Sequence, residues 1–335
     1  MKISATKLRT RIVFAILFSA FCGNSGVQAA FDVKIDEEKR TYQILEEGQP
    51  VLQYNYGIIP LPPGYAEEIQ GNAYLKKYAV PRCDYIHPLY DFDGEPITKD
   101  YSRDHAHHRG IYWGWPELQY QGQTADLHAL QKAFAYPAGK IDFAVKDGNA
   151  VLTAVNDWKW EEKEQRANDQ SETIAKETTT ITVFPKDKDG RKINVDIHIE
   201  AAKDGITLAR RGTKHYGGFS IRMQPLPEWK MFDFSEKDAD KRSTSPSWVG
   251  ATWKNPKSDG RLELTVFEKT TNPDYPGDQS NIKEIHWLQP TFPKSGTRYP
   301  LVQGKPLDLH YQLWIHNAGS DDDARKEAWK KYQER

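Results

Sequence analysis

The sequence predicts a mainly β protein, a large antiparallel β-sandwich with one helix at its C-terminal end. Apolar and polar residues alternate with a period of two in many segments, as they do in strands with one buried face. Asp-Gly pairs, which suit tight hairpin turns, recur along the chain. A helical spacing of apolar residues is found in one long segment, at the C-terminus. Together these patterns predict stacked antiparallel sheets with a helix packed on them.

The first 29 residues have the pattern of an export signal. Four basic residues precede an apolar run, Ile12–Phe21, and small residues follow at Val27 and Ala29, where a signal peptidase reads. The run is too short to span a bilayer. We therefore predict that residues 1–29 are a signal peptide and that the protein is exported to a periplasm or the cell exterior. Lipid anchoring at Cys22 is less expected, because the preceding Phe21 is bulky.

The charge of the predicted mature chain limits the classes of partner it can bind, and its cysteine content limits how its fold can be stabilised. Removing residues 1–29 takes away four basic and no acidic residues, and the formal charge changes from −1 to −5. A mildly acidic protein is a poor candidate for binding nucleic acid. Cys83 is then the one cysteine left, so no disulfide can form within the mature chain and its own core must hold it together. The length permits one large β domain or two smaller ones, and the strand pattern without a linker favours a single domain over residues 30–335.

The strands are predicted directly from the alternation. Asp-Gly pairs at 93–94, 147–148, 189–190, 204–205 and 259–260 supply candidate turns. In chain order the segments with strand alternation are FDVKID, TYQILEEGQPVLQYN, KIDFAVKDGNAVLTAVNDWKW, KETTTITVFP, INVDIHIEA, GGFSIRMQP, RLELTVFE and LDLHYQLWIH.

Two long segments, 60–104 and 112–138, lack this period, and long connections in a compact domain often carry function. The C-terminal helix is predicted over about 321–333. Its acidic first turn complements the helix dipole, and Ala324, Ala328, Trp329 and Tyr332 form its expected buried stripe.

The segment YSRDHAHHRGIYWGW, residues 101–115, lies between these two connections and holds three histidines. One hypothesis is a metal site, with His105, His107 and His108 as candidate ligands. The expected nearby glutamate is missing, and Arg109 would repel a cation. We therefore favour no cofactor, with a divalent metal as the alternative.

The preferred hypothesis for this segment is acid–base catalysis, because imidazole titrates nearest neutral pH. His107 and His108 are the candidate acid–base groups, and Asp104 would orient one imidazole. Arg109 would bind a carboxylate or developing negative charge. His105, Tyr101 and Trp113 complete the candidate substrate-binding set. A third interpretation is that these polar groups only pin a buried loop.

A second polar group lies at RRGTKHYGGFSIRMQP, residues 210–225. Its His215 is a further catalytic candidate, and Lys214 and Arg222 are candidates for binding substrate oxygens. The tryptophans are numerous enough to suggest a glycan groove. Candidates for that groove are Trp158, Trp160, Trp229, Trp248 and Trp253.

Several motifs in this order resemble a bacterial family that is labelled "methane oxygenase PmoA" or treated as a domain of unknown function. The motifs are His87–Tyr90, Thr98–Tyr101, the D-H-x-H-H-R-G motif at 104–110, Trp113-Gly114, Asn156–Trp158, Thr213–Arg222, Asn272–Pro276 and the closing Trp314–Asn317.

The resemblance implies an exported β-rich protein from bacteria that degrade polysaccharides. By analogy, its fold would be similar to the galactose-mutarotase-like supersandwich, in which histidine and carboxylate act on a sugar. We interpret the oxygenase name as a misannotation, since nothing after residue 30 is apolar enough to span a membrane. The chain departs from the family pattern at His215-Tyr216 and in the TADLHALQK segment, which puts its specificity in question.

The sequence therefore predicts an exported carbohydrate-active enzyme, a hydrolase, lyase or isomerase, that uses histidine acid–base chemistry on a sugar or uronate. The expected partner is a carbohydrate or another small molecule, with no nucleic acid and no membrane span; the oligomeric state is left open. One alternative is a glycan-binding sandwich without catalysis. The other is a metal-dependent oxidoreductase.

Overall fold

The computed structural model describes residues 30–164, 166–237, 240–319 and 321–334. The predicted signal peptide and Cys22 lie outside them. The described residues form twenty strands: β1 (Phe31–Asp36), β2 (Thr41–Glu46), β3 (Gln49–Asn55), β4 (Tyr85–Leu89), β5 (Ile111–Gly114), β6 (Leu118–Tyr120), β7 (Gln123–Ala125), β8 (Ala133–Pro137), β9 (Asp142–Lys146), β10 (Asn149–Trp160), β11 (Glu172–Val183), β12 (Arg191–Ala201), β13 (Ile206–Leu208), β14 (Gly218–Arg222), β15 (Lys230–Ser235), β16 (Ser247–Lys254), β17 (Arg261–Glu268), β18 (Trp287–Leu288), β19 (Tyr299–Leu301) and β20 (Leu307–Asn317).

The strands pair antiparallel in three sheets. One sheet has seven strands in the order β1-β2-β3-β4-β5-β14-β18. The second follows β15-β16-β17-β20-β12-β11-β10-β8, with β9 paired to β10 as its ninth strand, and a small sheet follows β19-β13-β6-β7. Three α-helices accompany them: α1 (Tyr65–Glu68), α2 (Ala73–Tyr78) and α3 (Asp322–Gln333). The predicted mainly antiparallel β-fold with a C-terminal helix is confirmed.

The two large sheets pack face to face, and the contacts between them define the inner face of the seven-stranded sheet. Phe219 of β14 stacks on Tyr311 of β20 at 4.3 Å between ring centroids. Ile111 and Trp113 of β5 belong to the same apolar core. Because strand side chains alternate between faces, the intervening Tyr112 is directed to the outer face. The outer face therefore carries a separate set of side chains.

A second, smaller core covers part of this outer face. Tyr65 of α1 and Leu75 of α2 pack with Tyr101 and Ala106, which lie in the segment before β5. The Tyr65 hydroxyl donates to the Ser102 carbonyl at 3.0 Å. The connection that looked structureless in the sequence is thus a folded cap on the sheet.

The segment 112–138 also differs from its prediction, since it contains β5, β6, β7 and β8. All four residues of β5 are buried, and a strand buried on both faces has no polar–apolar alternation to detect. The groove hypothesis for the tryptophans is also wrong for four of the five. Trp158, Trp160, Trp248 and Trp253 are buried, and only Trp229 is partly exposed.

Helix α3 begins after Asp321, whose side chain accepts from the Ala324 amide at 2.9 Å. Ala328, Trp329 and Tyr332 are buried as predicted, whereas Ala324 is exposed because it lies in the first turn, beside the cap. A forked ion pair docks the helix on β17. Arg325 donates from Nε and Nη2 to the two oxygens of Glu263, both at 2.8 Å.

We expect Glu263 to make the protein sensitive to acid. Burial opposes its ionisation, but hydrogen bonds from His316 and Arg325 outweigh burial and lower its pKa from 4.5 to about 2. A carboxyl with a lowered pKa stabilises the fold above its ordinary pKa, and this stabilisation is lost as the pH falls from about 4.5 towards 2. The free energy of unfolding, measured by urea titration across this range, should fall with pH. In Glu263→Gln the fall should be smaller; an unchanged slope would contradict the assignment.

Candidate functional site

Four histidine rings form a cluster on the outer face of the seven-stranded sheet. The rings of His107 and His108 lie 4.6 Å apart between centroids, and His105 stacks on His108 at 4.7 Å. The fourth ring, His128, lies 5.3 Å from His107. The sequence brings three of these residues together locally, and the fold adds the fourth from the segment before β8.

The floor of the cluster is built from the sheet itself. His108 stacks on Trp287 of β18 at 4.7 Å, and the Tyr112 hydroxyl lies 3.0 Å from Nε2 of His128. The Arg82 guanidinium lies 4.3 Å above the Tyr112 ring and donates to the His128 carbonyl at 2.9 Å. These contacts hold the imidazoles against a rigid layer.

Gly114 allows the His128 segment to approach β5 this closely. A Cβ at position 114 would lie 2.8 Å from the His128 Cα atom, which is too close for any side chain. The glycine of the Trp113-Gly114 motif thus has a steric function at the site.

Burial keeps the inner imidazoles neutral. It is the largest cause that lowers the pKa of His107 from 6.5 to about 3, and the neighbouring His105, Arg82 and Arg211 add to it. Burial likewise lowers the pKa of His108 and His128 well below the usual value. In all four rings Nδ1 is buried and makes no hydrogen bond within the described residues. Neutral imidazole nitrogens without partners can accept a proton or a hydrogen bond.

A cleft of about 360 Å³ adjoins the cluster. Its central contact is the ion pair in which Nη2 of Arg222 donates to both Asp104 oxygens, at 2.8 and 2.6 Å. Burial opposes ionisation of Asp104, but the nearby His105 ring and the hydrogen bonds from Arg222 hold the pKa of this carboxyl well below the usual range. The cleft is lined by residues that include Lys99, Asp104, Arg222, Met223, Pro225 and His286.

Aromatic side chains surround the opening of the cluster. Tyr78 of α2 lies 5.2 Å from His107, and Tyr216 lies 5.1 Å from His128. Arg211 forms an ion pair with Asp126 and approaches the Tyr216 ring at 5.7 Å. Aromatic faces beside fixed hydrogen-bond donors are suited to a sugar ring, which presents both apolar C–H groups and hydroxyls.

The fold brings together five of the residues predicted from the sequence: Asp104, His105, His107, His108 and Arg222. The part played by Asp104 differs from the expectation. Its carboxylate holds Arg222 and lies 3.6 Å from Nδ1 of His105, and Nδ1 of His107 and of His108 is left without a partner in the described structure. Asp104 therefore positions the guanidinium, and it does not orient His107 or His108.

Three other predicted residues have structural contacts. The Arg109 side chain is buried, and it donates to Asp100 at 2.9 Å and to the Val80 carbonyl at 2.8 Å while stacking on Tyr101. The Tyr101 hydroxyl donates to the carbonyls of residues 59 and 60. Trp113 faces the core and donates to Glu177 at 2.9 Å. These contacts engage all three side chains within the fold, although the buried Nε of Arg109 has no hydrogen-bond partner among the described residues.

Lys214 and His215 are exposed on a short loop between β13 and β14. Arg210 fixes this loop by donating to the carbonyls of both residues, at 2.7 and 2.6 Å. The loop residue in contact with the cluster is Tyr216, which stacks near His128 and Trp287. The functional candidate from this segment is thus the neighbour of the predicted one.

Sequence reasoning missed His128, Tyr216 and Trp287 as members of the site. His128 lies in the segment that departs from the family pattern, and Trp287 lies in a strand of only two residues. The available signal was a histidine within a long connection, which is weak because nothing local shows its partners. Their position follows from strand pairing between β14 and β18 and between β14 and β5.

Within residues 30–164, 166–237, 240–319 and 321–334, no group of three or more His, Cys, Asp or Glu side chains is placed to hold a metal ion. In the same ranges no helix is long and apolar enough to cross a membrane. The one described cysteine, Cys83, is buried and free.

Comparison with solved structures finds distant similarity to sugar-processing enzymes. A homologue of GalM/aldose epimerase from C. elegans has a TM-score of 0.33 at 9% identity, covering 86% of this chain and 99% of that one. A provisionally assigned kojibiose phosphorylase from the human microbiome has a TM-score of 0.33 at 11% identity, over 72% of this chain and 26% of that one. A 4-alpha-glucanotransferase from Thermococcus litoralis has a TM-score of 0.26 at 10% identity, over 87% and 40%. The chain thus spans less than half of the two longer enzymes.

No curated protein matches the chain by sequence. A family profile does match, and it covers residues 41–330, from the start of β2 to the last turns of α3. This range includes every residue of the imidazole cluster and of the cleft. The chain belongs to the family of unknown function DUF6807.

Proposed function

We propose that this protein is an exported carbohydrate-active enzyme that removes a proton from a sugar, with His107 and His108 as the proton-accepting groups. The observation that carries the proposal is the cluster of neutral, buried imidazoles with unpartnered Nδ1 atoms, which has aromatic neighbours and adjoins a cleft that Lys99 and Arg222 line. Imidazole is a common general base, and aromatic side chains bind the apolar faces of sugar rings.

The depressed pKa values favour a base over an acid as the initial form of these histidines. At neutral pH an imidazole with a pKa of about 3 is neutral, and it lacks the second ring proton that an imidazolium would give up as an acid. It can accept one from a hydroxyl or from an acidified carbon, and the proton is then returned to product or solvent. Proton transfer of this kind occurs in isomerases and lyases, and it requires no cofactor.

The second candidate is a glycan-binding protein without catalysis. It is favoured by one observation, namely that no carboxylate orients His107 or His108 in the described structure, whereas catalytic imidazoles usually have such a partner. In this alternative the imidazole nitrogens accept hydrogen bonds from sugar hydroxyls, and Tyr216 and Tyr78 supply the stacking surface.

The experiment that distinguishes the two candidates measures the exchange of carbon-bound protons of the sugar with solvent. The purified protein is incubated in deuterium oxide with a panel of oligosaccharides, and proton spectra are recorded over time. Enzymatic proton abstraction predicts loss of one carbon-bound proton signal or appearance of a new product. Saturable binding by calorimetry without exchange or conversion would favour the glycan-binding candidate.

The pH profile gives a further prediction. A base works in its unprotonated form, so kcat/KM should fall on the acid side at the free-enzyme pKa of that base. Because burial lowers the pKa of His107 far below 6.5, activity should persist at pH values where an ordinary histidine is protonated. Measurement of kcat/KM from pH 4 to 8, in steps of about one pH unit, checks this prediction. An acid-side midpoint near 6.5 would contradict the assignment of the buried His107 as the base.

A further inference from the structure

We infer that the sugar on which this site acts carries a carboxylate, as in a uronic acid residue, and that Arg222 binds this carboxylate. The inference rests on the proposed function and specifies its substrate class. It is carried by the unsatisfied donors of one buried guanidinium and by the charges around them.

Arg222 is buried, with only 4% of its side chain exposed, yet it lines the cleft. Its Nη2 atom is engaged by Asp104. Its Nε and Nη1 atoms are buried and have no hydrogen-bond partner among the described residues. Leaving charged N–H groups buried and unpaired is unfavourable, and a strand of a sheet holds this side chain in place. Two N–H-bearing nitrogens of a cationic side chain beside the cleft therefore lack an acceptor.

A carboxylate is the acceptor that suits these donors best. With Nη2 held by Asp104, Nη1 of the guanidinium can donate a charge-assisted hydrogen bond to a carboxylate oxygen. The cleft is also lined by the cations Lys99 and Arg103, which together with Arg222 outnumber its two carboxylates, Asp104 and Glu284. Met223 and Pro225 supply apolar surface beside the guanidinium, as a sugar ring requires.

The wider charge balance also favours an anion. Arg82 is buried beneath the cluster, and its described hydrogen bonds go to two backbone carbonyls, at 2.9 and 3.3 Å. Burial and the charge of Glu177 raise the pKa of the adjacent Asp84 well above the usual range. Among the described residues no carboxylate forms an ion pair with Arg82, at a site whose inner histidines are neutral. A bound carboxylate would complement the positive charge of Arg82.

The carboxylate also makes the proposed proton transfer chemically reasonable. Binding by Arg222 neutralises its charge and acidifies the adjacent C–H bond. An imidazole nitrogen takes that proton, and the electron pair of the broken C–H bond forms a carbon–carbon double bond. The C–O bond to the glycosidic oxygen on the next carbon breaks, and the departing oxygen takes a proton from the imidazolium or water. The products are a shortened saccharide and an unsaturated uronate, with no oxidant or reductant required.

The substrate side of the inference is tested without altering the protein. Oligogalacturonate, oligomers of alginate and glucuronate-bearing xylan fragments are compared with their methyl-esterified or carboxyl-reduced forms by calorimetry. We expect at least one charged series to bind, and its neutral form to bind about tenfold or more weakly, as the loss of a charge-assisted hydrogen bond implies. Turnover should produce the ultraviolet absorbance of an unsaturated uronate.

The protein side is tested with Arg222→Gln, which removes the guanidinium charge and its N–H donors. It should reduce the difference in affinity between charged and neutral forms to near zero. The matched control is Arg261→Gln, which breaks a similar ion pair, with Glu228, on the nine-stranded sheet and should leave the difference unchanged. Near-unchanged thermal midpoints of both variants would show that the fold is intact. If Arg222→Gln does not fold, the esterified ligands still decide the question.

The outcomes separate this inference from the proposed function. Proton exchange or conversion of neutral sugars with no preference for uronates overturns the carboxylate inference and leaves the proposed function intact. Binding of sulfated sugars but not of uronates also overturns it. Binding of uronates without exchange or conversion supports the carboxylate site and contradicts the proposed catalysis. Absence of binding by every charged series overturns the inference.

Discussion

Replacing His107 by glutamine is expected to lower kcat by about 10²- to 10⁴-fold on any sugar that the enzyme converts, as the loss of a general base does. His107 is 6% exposed, and its Nδ1 atom makes no hydrogen bond within the described residues, so the substitution removes no hydrogen bond of that atom. Glutamine preserves approximate volume and polarity. The thermal midpoint should therefore change by only a few degrees.

His198→Gln is the control for this prediction. His198 is also a histidine near carboxylates, but it lies on the nine-stranded sheet, is 39% exposed in its side chain and bonds to Asp308 at 2.7 Å. Its replacement should alter neither kcat nor KM. If His107→Gln instead lowers stability as severely as activity, the cluster has a structural role in packing the cap on the sheet, and the acid–base hypothesis fails.

Replacing Glu177 by leucine is expected to reduce the free energy of unfolding by about 3–5 kcal/mol, the cost of breaking a buried polar network. Its carboxylate is fully buried between the two large sheets. Trp113 and Trp158 donate their indole N–H groups to its two oxygens, each at 2.9 Å, and Thr179 donates its hydroxyl at 2.9 Å. Leucine would leave these three donors buried without an acceptor.

Urea unfolding of Glu177→Leu beside Glu200→Leu provides the measurement. Glu200 lies on the neighbouring strand β12 with a side chain that is 60% exposed, so its replacement should change the unfolding free energy by about 0.5 kcal/mol or less. Equal effects of the two substitutions would show that the buried carboxylate contributes no more to stability than a surface one. A loss of activity in Glu177→Leu at temperatures where the protein stays folded would instead indicate a functional role for Glu177.

The strands of the nine-stranded sheet were predictable because each has one face in the core. In β10 and β12 nearly every second residue is buried, so the alternation of apolar and polar residues in the sequence matches the alternation of burial in the strands. Helix α3 was predictable within one residue, since an acidic cap and an apolar stripe are local signals. Strands such as β5 and β18 show no such alternation in the sequence, because they are short and buried on both faces.

The site shows the same division between local and distant information. His105, His107 and His108 are three residues apart at most, so their proximity could be predicted from the sequence alone. Arg109 belongs to the same motif, but its backbone position directs the guanidinium to Asp100, away from the cluster. A motif determines which residues are near one another along the chain, and the local backbone conformation decides which of them share a face.

What the sequence by itself determined is therefore the mainly β class, the outer strands, the C-terminal helix and the location of a histidine-rich candidate site. These follow from periodicities and spacings that act over a few residues. Only the tertiary structure decided that His128, Tyr216 and Trp287 join the cluster, that Asp104 serves Arg222, and that two donors of Arg222 remain open. The physical reason is that these contacts join residues 88 or more positions apart in the chain. Such pairings arise from the burial of whole sheet faces, and this burial produces no periodic pattern at the polar positions of the sequence.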